Sequence, residues 1–196
     1  MTWIIVGLGN PGEEYTDTRH NAGRMALEAA AKKLDADEWK VNKTTKATAA
    51  KLLIGKTPTV FVLPDTFMNK SGAAVDKYVK SVKAAGALVV VYDDLDLPIG
   101  TIKLSFNRGS GGHKGVESIA RAVKTKAFTR IRIGVSRATA KGTVKKPAGE
   151  DEVIDFILAR FKPAELTELK SVFKKVTEAI ECIVTEGPER AMNRFN

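Results

Sequence analysis

Two uninterrupted apolar runs constrain the fold more than any other feature. Trp3-Ile4-Ile5-Val6 and Ala87-Leu88-Val89-Val90-Val91-Tyr92 contain no alternating polar residue. They are short, rich in β-branched residues and read as strands buried on both faces. The first ends in a turn containing Gly7, Gly9, Asn10, Pro11 and Gly12, and the second breaks at Asp93-Asp94-Leu95-Asp96. A side chain at the end of a buried strand stands on a rigid platform, and the loop beyond can present it to a ligand. His20, one of only two histidines, follows the first turn closely. Asn10 and His20 are expected to face one cleft.

The remaining segments fill in an α/β pattern. Asn21 is placed to cap a helix running to about Leu34, with Lys32 and Lys33 in its last turn. Residues 49–54 and 59–63 flank Gly55-Lys56-Thr57-Pro58 and read as a hairpin. A loop over 64–72 leads to a helix that spaces Val75, Tyr78, Val79 and Val82 by threes and fours. Ile102, Leu104 and Phe106 alternate with Lys103 and Ser105, as in a strand with one wet face. A glycine-rich turn over 108–115 precedes a helix over about 116–123. Residues 128–135 form another strand, with Arg130 and Arg132 on one face. Residues 137–149, rich in Lys, Gly and Pro, read as mobile. Helices are expected over about 150–159, 164–186 and 188–195. With no repeat and no linker, residues 1–196 make one domain. Strands alternating with helices give an α/β sandwich, and the hairpin makes its sheet mixed.

Charge is distributed unevenly. Residues 97–149 hold twelve Lys and Arg against a single acid, Glu117, in a chain whose total is +9. That segment therefore carries +11, and the rest is slightly acidic. A basic segment on a near-neutral body points to a polyanion, nucleic acid above all. No apolar run approaches the length of a membrane span, and the N-terminus lacks a signal-peptide pattern. Cys182 is the only cysteine, which fits a reducing cytosol. One cysteine and two histidines leave no ligand set for a structural zinc.

Several motifs carry more than one reading. Gly7-Leu8-Gly9-Asn10-Pro11-Gly12 matches the G-x-G-x-x-G dinucleotide pattern after a strand. That pattern needs a helix starting inside it, and here Glu13 and Glu14 would meet the phosphate. Asp93, Asp94 and Asp96 could supply oxygen ligands to Mg²⁺, or simply form an acidic turn. Gly111-Gly112-His113-Lys114-Gly115 could cradle a phosphate at a helix N-terminus, or be a tight turn needing glycine dihedrals. Lys103, Arg130 and Arg132 would contact phosphates if they share a face. His20 could be a structural histidine. The aspartates at the rim of the same sheet favour a general base instead. An Asp accepting from one ring nitrogen fixes the tautomer and leaves the other nitrogen free. Asn10 and Asn69 are amides on loops after strands and can orient a carbonyl or donate to an oxyanion. No serine or cysteine occupies a nucleophile elbow, so the implied nucleophile is water.

Taken together these pieces resemble the bacterial-type peptidyl-tRNA hydrolase family. The matching stretches are the glycine turn with Tyr15 and Thr18-Arg19-His20-Asn21-Ala22-Gly23, then Thr66-Phe67-Met68-Asn69-Lys70-Ser71-Gly72. Asp93-Asp94-Leu95-Asp96-Leu97-Pro98-Ile99-Gly100, Gly111-Gly112-His113, Arg130-Ile131-Arg132-Ile133-Gly134-Val135 and Met192-Asn193-Arg194 follow in order. The resemblance implies a single α/β domain with a twisted mixed sheet sandwiched between α-helices. It implies hydrolysis of the ester joining a peptide to the 3′-ribose of tRNA, by a cytoplasmic monomer with no metal or organic cofactor. An RNA-binding protein on the same scaffold with little catalysis is the alternative. His20 would be the base and Asp93 its support. Asn10 would sense the blocked amino group, Tyr15, Phe67 and Asn69 would line the site, and Asn69 would hydrogen-bond the substrate. Two positions depart from the family pattern. Lys114 stands where an asparagine is usual, so it either turns outward to a phosphate or changes how peptide is bound. Ser105 stands where some members carry a lysine on the tRNA 5′-phosphate, leaving Lys103, Arg108 or Arg132 to compensate.

Overall fold

The computed structural model describes residues 1–139 and 143–196. The strands are β1 (Trp3–Gly7), β2 (Lys40–Asn42), β3 (Ala47–Ile54), β4 (Thr57–Pro64), β5 (Leu88–Pro98), β6 (Ile102–Phe106), β7 (Thr129–Ala138) and β8 (Val144–Lys145). The helices are α1 (Ala22–Lys33), α2 (Ser71–Val75), α3 (Lys114–Ala122), α4 (Glu150–Leu158), α5 (Pro163–Glu186) and α6 (Pro188–Phe195). The sheet runs β2-β3-β4-β1-β5-β7-β6, with β8 paired to β7. Strands β4, β1, β5 and β7 are mutually parallel, and the pairs at both edges are antiparallel. The mixed sheet expected from the sequence is therefore present.

Alternation along the central strands separates two cores. Ile5, Phe61, Val89, Val91 and Ile131 face one side with α1, α5 and α6. Ile4, Val6, Val62, Val90 and Tyr92 face the other with α2 and α3. On α5, Leu169, Val172, Val176, Ile180 and Ile183 recur at spacings of three and four and are fully buried. Each such side chain contributes about 1.5–3 kcal/mol. Gly23 lets α1 lie against the sheet, since a Cβ there would stand 2.2 Å from the Val91 carbonyl oxygen.

Four expectations need correction, while the sequence evidence against a dinucleotide loop holds. Strand β5 does not stop at Tyr92 but continues through the acids to Pro98, with an irregular register after Asp94. Helix α2 is only five residues long, and Val82 is exposed while Val75 and Val79 are buried. No helix starts within the first glycine turn; a 3₁₀ turn, Glu13–Tyr15, follows it, so the dinucleotide reading fails. Asn21 precedes α1 but makes no side-chain cap. Part of the stretch expected to be mobile is an antiparallel pair, Arg137 with Lys145 and Ala138 with Val144. Lys141, counted in the basic segment, lies outside the described residues. Among the described residues, no helix is long and apolar enough to cross a membrane.

Candidate active site

The carboxyl ends of parallel strands are where open α/β sheets bind ligands. Here the end of β1, and β5 where its pairing with β1 stops, meet a 3₁₀ turn, Arg19–Asn21, that carries His20. Both neighbours of His20 are clamped. The buried Arg19 guanidinium donates to the carbonyls of Ala159 and Arg160 at 3.1 and 2.9 Å and pairs with Glu165 at 2.9 Å. It also lies over the rings of Phe156 and Phe161. On the other side, the Asn21 amide accepts from the Asn10 N–H at 2.8 Å and donates to the Asn10 carbonyl at 3.0 Å. That pairing is why Asn21 does not cap α1.

Strand pleating sends successive acids to different partners. Asp93 is buried, with Oδ1 and Oδ2 at 3.0 and 3.1 Å from His20 Nδ1. Asp94 accepts from Arg132 Nε at 2.6 Å, and Asp96 accepts from Lys146 Nζ at 2.6 Å. Three acids engaged by different side chains, Asp93 by imidazole and Asp94 and Asp96 by cations, do not form the Mg²⁺ cage that their spacing allowed.

A second histidine joins the pair. His113 Nε2 lies 2.9 Å from Asp93 Oδ1. His113 also caps α3, its Nδ1 accepting from the backbone N–H groups of Gly115 and Val116 at 3.2 and 3.3 Å. Backbone N–H groups only donate, so Nδ1 is bare and Nε2 carries the proton it gives to Asp93. These two N–H groups are no longer available to a phosphate. Gly111 and Gly112, at φ 63° and 83°, supply the left-handed turn that delivers the cap, so the tight-turn reading holds.

His20, Asp93 and His113 place their ligand atoms within 4.8 Å of one another, the one such cluster among the described residues. A metal would need the Nε2 lone pair of His113 and hence a proton on Nδ1, where two N–H donors already point. The donor set therefore fits a hydrogen-bonded relay and not a metal centre.

Electrostatics set the state of the relay. Burial alone would raise Asp93, but the charge and hydrogen bonds of the two imidazoles hold it well below the usual carboxylate range. For His20, burial opposes protonation, yet the charge and hydrogen bond of Asp93 outweigh it and raise its pKa above 6.5, while Lys114 pulls the other way. With Nδ1–H given to Asp93, His20 Nε2 is the free basic atom.

A cavity of about 670 Å³ takes in His20, Asp93, His113 and Lys114, and the apolar side chains Val153 and Ile157 of α4 form its far wall. Lys114 is exposed at its mouth, its Nζ 3.6 Å from Glu150. Asn10 lines a separate, open pocket of about 320 Å³, so it and His20 do not share one cavity; Asn21 connects them. The Asn10 Oδ1 accepts from the Met68 N–H at 2.8 Å, which leaves its Nδ2 to donate. Tyr15 and Phe67 meet edge to face at 6.4 Å and Asn69 is exposed; none of the three lines the large cavity. Lys103, Arg108 and Arg132 do come together, lining an adjoining cavity of about 500 Å³. Lys103 and Arg132 face each other across the β6–β7 pair, a like-charge arrangement that Asp94 offsets.

A family model for peptidyl-tRNA hydrolase matches residues 4–196. The chain belongs to the peptidyl-tRNA hydrolase family. A peptidyl-tRNA hydrolase of Chloroflexus aggregans is 38% identical over 197 residues, covering 99% of this chain and 98% of that protein. One from Hydrogenobaculum is 40% identical, covering 100% and 98%. The crystal structure of peptidyl-tRNA hydrolase from Acinetobacter baumannii superposes with a TM-score of 0.87 at 30% identity, covering 99% of this chain and 94% of that one. Among the site residues of this family member, His113 was passed over in the sequence, where it looked like part of a glycine turn. Its place in the matching stretch Gly111-Gly112-His113 and its being the second of two histidines were the available signals. Arg19 and Asn21 lie in the matching stretch around His20, but nothing in it showed what they clamp.

Proposed function

We propose that this protein hydrolyses the ester between a peptide and the 3′-ribose of tRNA, with His20 as general base. One observation carries the reading: the buried Asp93 accepts a hydrogen bond from His20 Nδ1–H at 3.0 Å, in the wall of a 670 Å³ cavity. Nε2 removes a proton from water as the oxygen attacks the ester carbonyl. The tetrahedral intermediate collapses, the ribose 3′-oxygen leaves, and the imidazolium returns the proton to it. The products are a free peptide carboxyl group and a tRNA 3′-hydroxyl. The Met68 N–H holds the Asn10 Oδ1, which turns the Asn10 Nδ2 outward as a donor. A donor suits the carbonyl of a blocked amino group and gains nothing from a free α-ammonium, which supports Asn10 as the group that distinguishes peptidyl from aminoacyl ends. Tyr15, Phe67 and Asn69 form an open face for the peptide, and Lys114 lies at the cavity mouth. Lys103, Arg108 and Arg132 take backbone phosphates of the tRNA.

Water as nucleophile and an Asp–His pair as base require no cofactor. A free Cys182 and a tRNA substrate suit a cytoplasmic monomer. Binding RNA without turning it over has no need of a buried Asp–His pair, so the non-catalytic alternative is not favoured. The test is release of the acyl group from N-acetylaminoacyl-tRNA, with the unblocked aminoacyl-tRNA as comparison. The blocked substrate is expected to be cleaved and the unblocked one spared; cleavage of neither contradicts the reading.

A further inference from the structure

Arg130 is the largest fully buried side chain among the described residues. One of its nitrogens, Nη1, donates to the carbonyls of Arg108 and Gly109. Its Nε and Nη2 are buried with no hydrogen-bond partner, a carboxylate included, among the described residues. Phe128 lies under the guanidinium at 4.6 Å. A buried cation without a counter-ion is costly, and burial pushes its pKa below the ordinary guanidinium value. Holding the loop at Arg108 and Gly109 explains Nη1 alone.

This arginine lines a cleft of about 450 Å³ between the end of α3 and the start of β7. Arg121, Lys124 and Lys126 also line it, against one acid, Glu117, which is engaged by Ser110 at 2.9 Å. Lys124 has a left-handed backbone, φ 58°, just after the last turn of α3, and the Thr125 N–H closes that turn onto the Ala120 carbonyl. Glycine is the favoured residue there, since an L side chain crowds the following carbonyl in that conformation. A lysine held in that conformation points to a use for its charge.

We propose that this cleft binds a phosphate group, with Arg130 at its floor and Arg121, Lys124 and Lys126 at its rim. On the reading of the protein as a peptidyl-tRNA hydrolase, the phosphate belongs to the tRNA backbone. The cleft adjoins the other two cavities through Ser110, which lines all three. It is a different subsite from that of Lys103, Arg108 and Arg132. The loop that Arg130 tethers is the one that leads to His113, so the same guanidinium links backbone binding to the relay.

The test needs no change at Arg130. A triple variant, Arg121→Gln with Lys124→Gly and Lys126→Gln, is compared with a charge-matched control, Lys32→Gln with Lys33→Gln and Lys40→Gln. Lys124→Gly alone is expected to hold or raise Tm, because it relieves the left-handed lysine, while weakening tRNA binding. The triple variant is expected to weaken binding of uncharged tRNA at least tenfold. It should also lower the slope of log affinity against log salt by about 2–3, at ~0.9 per lost duplex contact, well beyond the control. Inorganic phosphate supplies a second arm, read as a rise in Tm over chloride at matched ionic strength. A lower slope without a phosphate-specific rise supports the cleft and assigns it to tRNA. A phosphate-specific rise that the triple variant loses, with its slope unchanged, supports the cleft for a small phosphate ligand. A triple variant indistinguishable from the control in both arms overturns the proposal. Failure of the unaltered protein to bind tRNA would contradict the proposed function, and the phosphate arm alone would then decide the cleft.

Discussion

Asp93 and His113 are joined by a 2.9 Å hydrogen bond on the same carboxylate oxygen that lies 3.0 Å from His20. Asp93 is thus held from two sides. One imidazole is locked as a donor by its capping of α3, and the other is left with a free basic nitrogen. Helix capping and base activation share a side chain, and substitutions can separate them.

His113→Asn keeps a side chain suited to an N-cap but is too short to reach Asp93. Unfolding free energy should change little while kcat falls at least tenfold. His113→Ala should lose about 1 kcal/mol as well, through the cap. Urea unfolding beside steady-state kinetics checks both, and full kcat in His113→Asn would remove His113 from the relay.

Lys114 bears on the pH profile. Its charge lowers the pKa of His20, against the larger effect of Asp93. A base works only when neutral, so the rate should rise with pH through an acid limb lying above 6.5. Lys114→Asn removes the opposing charge, raises the His20 pKa further and should move that limb to higher pH, with activity retained at its plateau. A limb that stays in place, or moves down, contradicts the placement of Lys114 beside His20.

Glu165→Gln should strip the partner from a buried guanidinium. Arg19 and Glu165 have side chains only 5% and 12% exposed, and leaving one charge buried and unpaired costs about 3 kcal/mol. Because Arg19 adjoins His20, kcat should fall too. Thermal unfolding and kinetics on one sample measure both effects.

Gly23→Ala tests the seating of α1. Its Cβ would meet the Val91 carbonyl at 2.2 Å, a backbone atom that no rotamer change can move aside. A loss of about 3 kcal/mol is expected in urea unfolding, at the upper end for overpacking. A neutral substitution would show that the helix can lift off the sheet.

The fold was largely legible because its strands are pure apolar runs and its longest helix has an unbroken three-and-four spacing. Period reading failed where polar residues lie inside a strand. Asp93 to Asp96 broke the apolar run, yet the strand continues to Pro98, with Asp93 satisfied by two imidazole hydrogen bonds and Asp94 and Asp96 paired with Arg132 and Lys146. It failed again at Val82, whose spacing fits a helix that ends at Val75. In the site, His20 and its aspartate could be paired because each follows or ends a buried run. His113 could not, because its role depends on the two backbone N–H groups it caps. The capping and clamping roles of Asn21 look alike in sequence and differ only in three dimensions.

The most direct test is His20→Ala, measured for turnover of N-acetylaminoacyl-tRNA and for tRNA affinity in the same preparation. The account predicts a fall in kcat of about 10³-fold, within the range for a lost general base, with tRNA affinity held within threefold. Equal losses in turnover and affinity, or turnover that survives, would contradict His20 as the base.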